Sequence, residues 1–309
     1  MSANDDSLKI SIVIITYNRP DDMLELINNI IELNEKENYL EEIIIVNNHS
    51  SDDYSSVEKI IEQKQDMGFR YFYQEKNLGV SKGRNYAMQQ AKSEILLFID
   101  DDALFENMSA LKQVHDVFRN ETNNKLGALA FRIFYKATLD FQKNAFPHKN
   151  FQALKNCDAF NTYYFSGCAH AIRKSVFDKV GFYPEDFFYG MEEYDLSYRI
   201  INAGYKISYS NKVTILHKES PLGRITNENK LRSMWINKTK VAWKYLPKKY
   251  FYSTAIMWSM EYFRKITFHS MMWRKGWSNI FSIPSTEIRS PLQNDALIYL
   301  KKVKARLWY

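Results

Sequence analysis

Cysteine, glycine and proline are all scarce in this sequence of 309 residues. Its two cysteines, Cys157 and Cys168, cannot build a disulfide framework, which favours a reducing compartment. Neither cysteine has the spacing of a metal motif, so we interpret both as small buried side chains. The 10 glycines and 7 prolines are too few for a collagen-like or low-complexity chain, which leaves an ordinary globular protein.

Long hydrophobic runs are also missing. The best run, residues 250–260, has about 11 residues, whereas a membrane-spanning helix needs about 18 or more. The first residues, MSANDDSLK, are acidic and polar, so the sequence predicts no signal peptide. Together these absences predict a cytoplasmic protein.

Two well-known phosphate-binding loops are absent as well. No Gly-x-Gly-x-x-Gly follows the first predicted strand, which counts against a dinucleotide-binding fold. The segment NLGVSKGRN at 77–85 has two glycines and two cations that suit a phosphate, but it lacks the Walker A spacing.

What the first half does contain is a regular alternation of strand and helix patterns. Apolar, β-branched runs predict buried strands, and the segments between them carry apolar residues at helical spacing. The predicted strands are 9–16, 42–46, 69–74, 94–99 and 127–135, with helices after Pro20, at about 54–66 and at about 80–92. This order predicts an α/β fold with a mostly parallel sheet covered by helices on both faces.

Polar side chains gather at the ends of these predicted strands. They are residues 16–18, residues 47–50, Asn77 and residues 100–102. Polar residues often just end strands, but ligands of parallel sheets bind at the carboxyl ends of the strands. Four such groups on one predicted edge favour a binding site.

The triplet Asp100-Asp101-Asp102 directly follows an apolar strand. Three carboxylates there repel one another unless water or a cation neutralises them. Alternate residues of an extended segment point the same way, so Asp100 and Asp102 could face one ligand while Asp101 faces away. Carboxylate oxygens suit Mg²⁺ or Mn²⁺, which commonly share substrate phosphates.

A second acidic group, Glu192, Glu193 and Asp195, lies at the start of a predicted helix. Such residues can simply complement the helix dipole, but a carboxylate opposite a metal–phosphate site could act as a general base. His217 follows another apolar strand, where it could be structural or could join carboxylates around a metal ion.

These residues together resemble the glycosyltransferase family 2 enzymes, which have the GT-A fold. The resemblance covers about residues 8–220. Within the family, the sequence most resembles bacterial enzymes that build surface polysaccharides, including rhamnosyl- and galactosyltransferases. It is carried by IVIITYNRP, IIIVNNHSSDD, NLGVSKGRN, LLFIDDDALF, SGCAHAIRKSVFDKVGFYPEDFF, EEYDLSYRI, NAGY and the His217 position.

The resemblance implies a role for each candidate residue. It implies a metal site at Asp102, Asp100 and His217, and a catalytic base at Glu193, where the family usually has Asp, or at its neighbour Glu192. Asn47 stands where many relatives have an Asp that contacts the base, and Arg84 would approach the phosphates. The implied nucleotide-sugar site comprises Thr16, Tyr17, Arg19, Asn47, Asn77, Arg84, Asp100 and Asp101.

The resemblance also implies an activity. A UDP- or dTDP-sugar would donate a hexosyl or deoxyhexosyl group, with inversion, to a hydroxyl of a glycan or lipid-linked glycan in surface polysaccharide synthesis. Mn²⁺ or Mg²⁺ would be the cofactor. A sugar-phosphate nucleotidyltransferase is an alternative, although the Gly-rich loop expected after its first strand is missing. A non-catalytic protein that binds a nucleotide sugar or scaffolds a membrane is another.

The last part of the chain differs in composition from the rest. From Glu228 onward there are 16 Lys and Arg against 4 Asp and Glu, which leaves 26 against 32 before it, and all six tryptophans lie here. We therefore expect a catalytic domain at 1–225, with a nucleotide-sugar half at about 8–105 and an acceptor half at about 106–225, and a helical region at 226–309.

Basic and aromatic residues together suit a lipid headgroup interface. The tail at 226–309 thus predicts docking on a membrane surface, as a peripheral protein on the inner face of the cell membrane. The alternative is a helical appendage packed on the catalytic domain or on a second subunit, as in a homodimer. The sequence has no nucleic-acid-binding motif, so we expect no nucleic acid partner.

Overall fold

A computed structural model describes residues 8–121, 123, 125–222, 226–266 and 270–308. The strands are β1 Ile10–Thr16, β2 Leu40–Asn47, β3 Phe69–Tyr73, β4 Ile95–Ile99, β5 Ala103–Phe105, β6 Leu126–Tyr135, β7 Ala159–Thr162, β8 Ala169–Arg173 and β9 Lys206–His217. The helices are α1 Pro20–Ile31, α2 Lys36–Tyr39, α3 Ser55–Gln63, α4 Gly79–Gln90, α5 Ala110–Arg119, α6 Phe151–Leu154, α7 Lys174–Val180, α8 Glu192–Asn202, α9 Asn227–Tyr245, α10 Lys248–Lys265, α11 Ser270–Thr286 and α12 Asn294–Lys302. All strands join one sheet.

The first four strands in sheet order, β3-β2-β1-β4, are parallel. Strand β1 is buried on both sides, as its unbroken apolar run predicts, with Ile12 and Val13 at 0% and 1% exposure. The register places Thr16 beside Asn47, so the carboxyl ends of neighbouring strands lie at one edge. This confirms the predicted parallel sheet for the first half of the chain.

The rest of the sheet, β8-β6-β9-β5 with β7 beside β9, is mixed. Strand β8 lies antiparallel to β4, which brings the segment before β8 next to the end of β4. Strand β5 pairs antiparallel with β9, and this register sets Ala103 opposite His217. The antiparallel strands therefore carry residues from the second half of the chain to the edge where β1, β2 and β4 end.

Two apolar cores cover the two faces of the sheet. One packs α1, α3 and α5 against the sheet, and the other packs α4, α7 and α8. The second core extends into the C-terminal helices, with Tyr250, Leu300 and Val303 among its members. The C-terminal region is therefore helical, as predicted, and it shares a core with the sheet.

The helices α9, α10 and α11 also form a small core of their own. Trp235 is fully buried in it and Trp243 is 9% exposed, whereas Trp308 near the C-terminus is 55% exposed. The indole NH groups of Trp273 and Trp277 both donate to the Ser259 hydroxyl. Trp235 and Trp243 thus serve packing, and the half-buried Trp273 and Trp277 are held by Ser259. None of the helices in the described part of the chain is long and apolar enough to cross a membrane.

Candidate functional site

An open cavity of 610 Å³ lies at the edge where β1, β2 and β4 end. We call it the first cavity. Most of the predicted nucleotide-sugar residues line it, namely Thr16, Tyr17, Arg19, Asn77, Arg84, Asp100 and Asp101. Asn48, from the polar group at residues 47–50, also lines the cavity, as do Phe188 and Tyr189, which the sequence did not single out.

The guanidinium of Arg19 holds two of the three aspartates. Its Nη1 lies 2.7 Å from Asp101 Oδ1 and 3.3 Å from Asp102 Oδ2. Burial raises the pKa of Asp101 to about 7, although Arg19 acts in the opposite direction. Arg19 and Asp101 therefore form part of the wall of the first cavity, and the charge of Arg19 is largely compensated by carboxylates of the protein.

The loop before α4 is fixed by side-chain amides. Asn48 donates to Asn77 Oδ1 at 3.0 Å and accepts from the Leu78 backbone at 2.9 Å. Gly79 has φ +74°, and a Cβ there would lie 2.7 Å from the Phe188 ring, so a larger residue would not fit. The predicted base contact Asn47 does not line the cavity. It is buried and donates to the Tyr71 hydroxyl at 2.7 Å, because Asn48 is the amide that faces the loop.

Asp102 and His217 meet where β5 pairs with β9. His217 Nε2 lies 3.3 Å from Asp102 Oδ1, and His217 Nδ1 lies 2.8 Å from Gln142 Oε1. Asp102 is 1% exposed and accepts a hydrogen bond from the Ser220 backbone at 2.9 Å. Burial alone would lower the pKa of His217, but Cys168 and Asp102 raise it to about 11.

Asp100 is the most exposed aspartate of the triplet, with 39% of its side chain accessible. Ligand atoms of Asp100, Cys168 and His217 lie within 4.8 Å of one another. A carboxylate and an imidazole suit Mn²⁺, whereas a thiol is a softer ligand. Asp100 and His217 thus fit the predicted cation. Asp102, the other predicted ligand, lies next to this group and contacts His217. Cys168 was not predicted, because its position in the sequence does not match the spacing of a metal motif.

Arg84 connects the two acidic groups. It is 4% exposed, and its Nη2 lies 3.2 Å from Asp100 while its Nη1 lies 3.3 Å from Glu192 and 3.8 Å from Glu193. Nη2 also donates to the Gly167 carbonyl at 2.8 Å. The residue predicted to approach a phosphate therefore lies between three carboxylates.

Glu192 and Glu193 begin α8, as the sequence predicts. The Glu193 side chain is 16% exposed, against 4% for Glu192, so Glu193 is the more accessible of the two carboxylates. Burial and the neighbouring Glu192 raise the pKa of Glu193 to about 8, with Arg84 opposing them. A Cβ on Gly167 would lie 2.0 Å from Glu193 Oε1, so glycine leaves room for this carboxylate.

A second cavity of 370 Å³ adjoins the first. Arg84 and Asp100 line both cavities, while Glu192, Glu193 and His217 line only the second. Aromatic rings of Tyr164, Tyr189, Tyr194 and Trp258 form much of its remaining wall. The C-terminal helices contribute Lys230 and Met234 from α9 and Trp258 from α10, which no sequence pattern indicated.

The mixed sheet with acidic side chains at its carboxyl edge is the GT-A fold of glycosyltransferases. GalNAc-T7, solved with UDP, GalNAc and Mn²⁺, has a TM-score of 0.64 at 15% identity, over 96% of this chain and 56% of that one. TarS of S. aureus, solved in complex with UDP-GlcNAc, has a TM-score of 0.62 at 16% identity, over 89% of this chain and 81% of that one. At such identities the likeness concerns the fold alone.

The sequence supplies the family. The model of glycosyl transferase family 2 matches residues 11–181, more than half of the chain. The chain therefore belongs to glycosyl transferase family 2 and is a glycosyltransferase.

Two relatives extend this comparison. A Haemophilus influenzae protein described only as uncharacterised is 34% identical over 176 residues, which is 57% of this chain and 92% of the relative. The O-antigen chain rhamnosyltransferase WbaN of Salmonella anatum is 28% identical over 150 residues, which is 44% of this chain and 45% of WbaN. The matched part thus spans less than half of WbaN.

Proposed function

We propose that the protein is a metal-dependent, inverting glycosyltransferase that moves a hexosyl or deoxyhexosyl group from a UDP- or dTDP-sugar to a hydroxyl. The observation that carries this proposal is the shared boundary of the two cavities. Asp100 and Arg84 lie on both sides of it, and Glu193 lies beyond it in the second cavity. A donor in the first cavity and an acceptor in the second would meet there.

The first cavity would hold the donor. Thr16, Tyr17, Asn48 and Asn77 surround the space for the nucleoside, and Arg84 is the cation on the path from that space to Glu193. GalNAc-T7 and TarS, which share the fold, were solved with UDP and with UDP-GlcNAc. These neighbours support a nucleotide sugar as the donor of this chain too.

Asp100 and His217 would hold the cation, with Asp102 beside them. A divalent ion bound there supplies positive charge that stabilises a diphosphate leaving group. The mixed carboxylate and imidazole ligands favour Mn²⁺ over Mg²⁺. Because metal binding needs a neutral imidazole, the raised pKa of His217 makes the affinity for the ion fall as the pH falls.

Glu193 would accept the proton of the acceptor hydroxyl. Arg84 and Asp100 lie between Glu193 and the first cavity, so a donor whose diphosphate lay in the first cavity would have Glu193 on the opposite side of its sugar. Attack from that side displaces the diphosphate in one step and inverts the anomeric centre. Glu192, which is more deeply buried and closer to Arg84, would keep Arg84 in place.

The acceptor is proposed to be a glycan or lipid-linked glycan of a surface polysaccharide. WbaN is an O-antigen chain rhamnosyltransferase, and its likeness to this chain supports that class. Aromatic side chains around the second cavity suit the apolar faces of sugar rings. A lipid-linked acceptor would place the enzyme at the inner face of the cell membrane. That the protein forms a homodimer is a separate prediction.

A thermal-shift panel of UDP- and dTDP-sugars tests the donor and the metal together, since a bound ligand raises the melting temperature. We expect a shift with a nucleotide sugar plus Mn²⁺ that EDTA removes. Asp100→Asn should weaken this metal-supported binding by about 10-fold or more. Asp295→Asn, an exposed aspartate in the first turn of α12, is the matched control and should bind like the wild type. Equal metal-supported binding by Asp100→Asn and the wild type would contradict the metal site.

A further inference from the structure

Helix α10 has a row of exposed apolar side chains along one side. Their spacing of four, one, three and three residues keeps them on one face of the helix. They are Tyr252 (59% exposed), Ile256 (52%), Met257 (40%), Met260 (60%) and Phe263 (52%), and we call them the α10 stripe. Exposed apolar side chains grouped in this way mark an interaction surface more often than singly scattered ones do.

The opposite side of α10 faces the protein. Phe251, Ala255 and Tyr262 pack in the core formed with α9 and α11. Trp258, on the same inward side, forms part of the wall of the second cavity. The helix therefore separates the second cavity from the surface that carries the α10 stripe.

The charges around the α10 stripe select its partner. Lys248 and Lys249 lie at one end of the helix, and Arg264 and Lys265 lie at the other, exposed by 74% and 52%. The one acidic residue of α10, Glu261, pairs with both Arg264 and Lys265. Four cations against one anion leave both ends of the apolar row positive.

An apolar row between basic ends matches an anionic phospholipid surface, where apolar side chains enter the headgroup region and cations meet lipid phosphates. A second copy of this chain fits less well. Whether two α10 helices met parallel or antiparallel, each basic end would face another basic end, and like charges repel.

We propose that the α10 stripe docks the protein on an anionic phospholipid surface. Because a helix with its side chains is about 10–12 Å across, docking would place the second cavity about that far from the headgroups. This second consequence rests on the proposed function, since it matters only if the second cavity takes a lipid-linked acceptor. The docking itself does not depend on catalysis.

Vesicle flotation with the full chain tests the docking. Wild type should float with phosphatidylcholine vesicles that contain phosphatidylglycerol, float poorly with phosphatidylcholine alone, and bind less at raised salt. The double variant Ile256→Glu/Met260→Glu should bind the anionic vesicles about 10-fold less, because two carboxylates replace apolar contacts and are repelled by the lipid.

Ile298→Glu is the matched control. Ile298 is 61% exposed on α12, outside the α10 stripe, and its substitution is the same as that of Ile256, adding one of the two negative charges of the double variant. It should float like the wild type. Wild type that ignores anionic vesicles, or an equal loss in Ile298→Glu, overturns the proposal.

Two further measurements on the same samples separate the remaining explanations. Light scattering gives the mass: a wild-type dimer that the double variant converts to monomer, with vesicle binding unchanged, would make the α10 stripe a contact between copies and overturn the docking. Thermal shift with UDP-sugar and Mn²⁺ reports the fold and the donor site. A variant that keeps this shift but no longer floats supports docking, whereas floating protein without any nucleotide shift rejects only the proposed function.

Discussion

Two carboxylates on different sides of helix α8 have pKa values that are shifted in opposite directions. Glu193 and Asp195 both lie in its first turn, so both feel the positive end of the helix dipole. Asp195 faces α9, is 1% exposed, and has a lowered pKa: burial raises it, but Arg199 and Lys244 outweigh burial. Glu193 faces the second cavity, and its pKa is raised to about 8.

The difference comes from how many partners each carboxylate has. Asp195 binds Arg199 at 2.7 Å, Lys244 at 2.8 Å and the Tyr245 hydroxyl at 2.8 Å. Arg84, in contrast, is one cation for Glu192, Glu193 and Asp100 together. A structural carboxylate is thus saturated with donors, whereas the carboxylates of the site share one cation and have raised pKa values, so a bound cation would stabilise their ionised forms.

The largest expected effect comes from Glu193→Gln. Glutamine keeps the shape but cannot accept the proton, so transfer should fall by about 10²–10⁴-fold. Donor binding, measured by thermal shift with the active UDP- or dTDP-sugar and Mn²⁺, should stay at the wild-type level. Glu192→Gln is the companion variant. If it loses transfer while Glu193→Gln keeps it, Glu192 is the base; if both stay fully active, no base lies in this pair.

The next effect is on stability, from Asp195→Asn. Losing this charge leaves Arg199 and Lys244, each about a fifth exposed, without their shared partner. The free energy of unfolding should fall by about 3 kcal/mol, the low end for a broken buried pair. Urea unfolding measures it. Asp295→Asn makes the same chemical change at an exposed site and should cost less than about 0.5 kcal/mol. Equal costs would show that the partners of Asp195 do not set its role.

The parallel strands of the first half could be predicted from the sequence, because the alternation of apolar strands and amphipathic helices is visible along the chain. The alternation predicted that Thr16 and Asp100 lie at one edge, but it did not predict that β4 pairs with β1 rather than with β3. The crowding of Glu192 and Glu193 at a helix start was also visible, since it depends only on local order.

Other parts of the site could not be predicted, because they depend on pairings between distant segments. Cys168 reaches the cluster because β8 inserts antiparallel beside β4, and the Asp100 backbone then donates to the Cys168 carbonyl at 2.8 Å. Spacing along the chain contains no trace of this contact. Composition also does not show which side chains of a helix face the core and which face solvent. The tail is rich in tryptophan, yet Trp235 is fully buried while Met260 is exposed.

The remaining effects depend on pH, and they have opposite signs on the two sides of α8. The pKa of Glu193 rises from 4.5 to about 8 on folding, so between these pH values the unfolded chain loses its proton first and the native state loses stability. Glu193→Gln removes this loss, so the melting temperature of the variant minus that of the wild type should increase from pH 5 to pH 9. In the wild type, kcat/KM should rise with pH through about 8, since only the ionised carboxylate is a base.

Asp195 behaves in the reverse way, because its pKa is lowered from 3.8 on folding. The stability that it contributes is present above this value and is lost as the pH falls through its folded pKa. The gap between wild type and Asp195→Asn should therefore be widest near neutral pH and close in acid, whereas the gap for Glu193→Gln opens in base. Both stability differences, wild type against Asp195→Asn and wild type against Glu193→Gln, could instead change with pH in the same direction. The two carboxylates would then not differ in how far cations stabilise their ionised forms, and the surroundings of Glu193 could no longer distinguish it as the base.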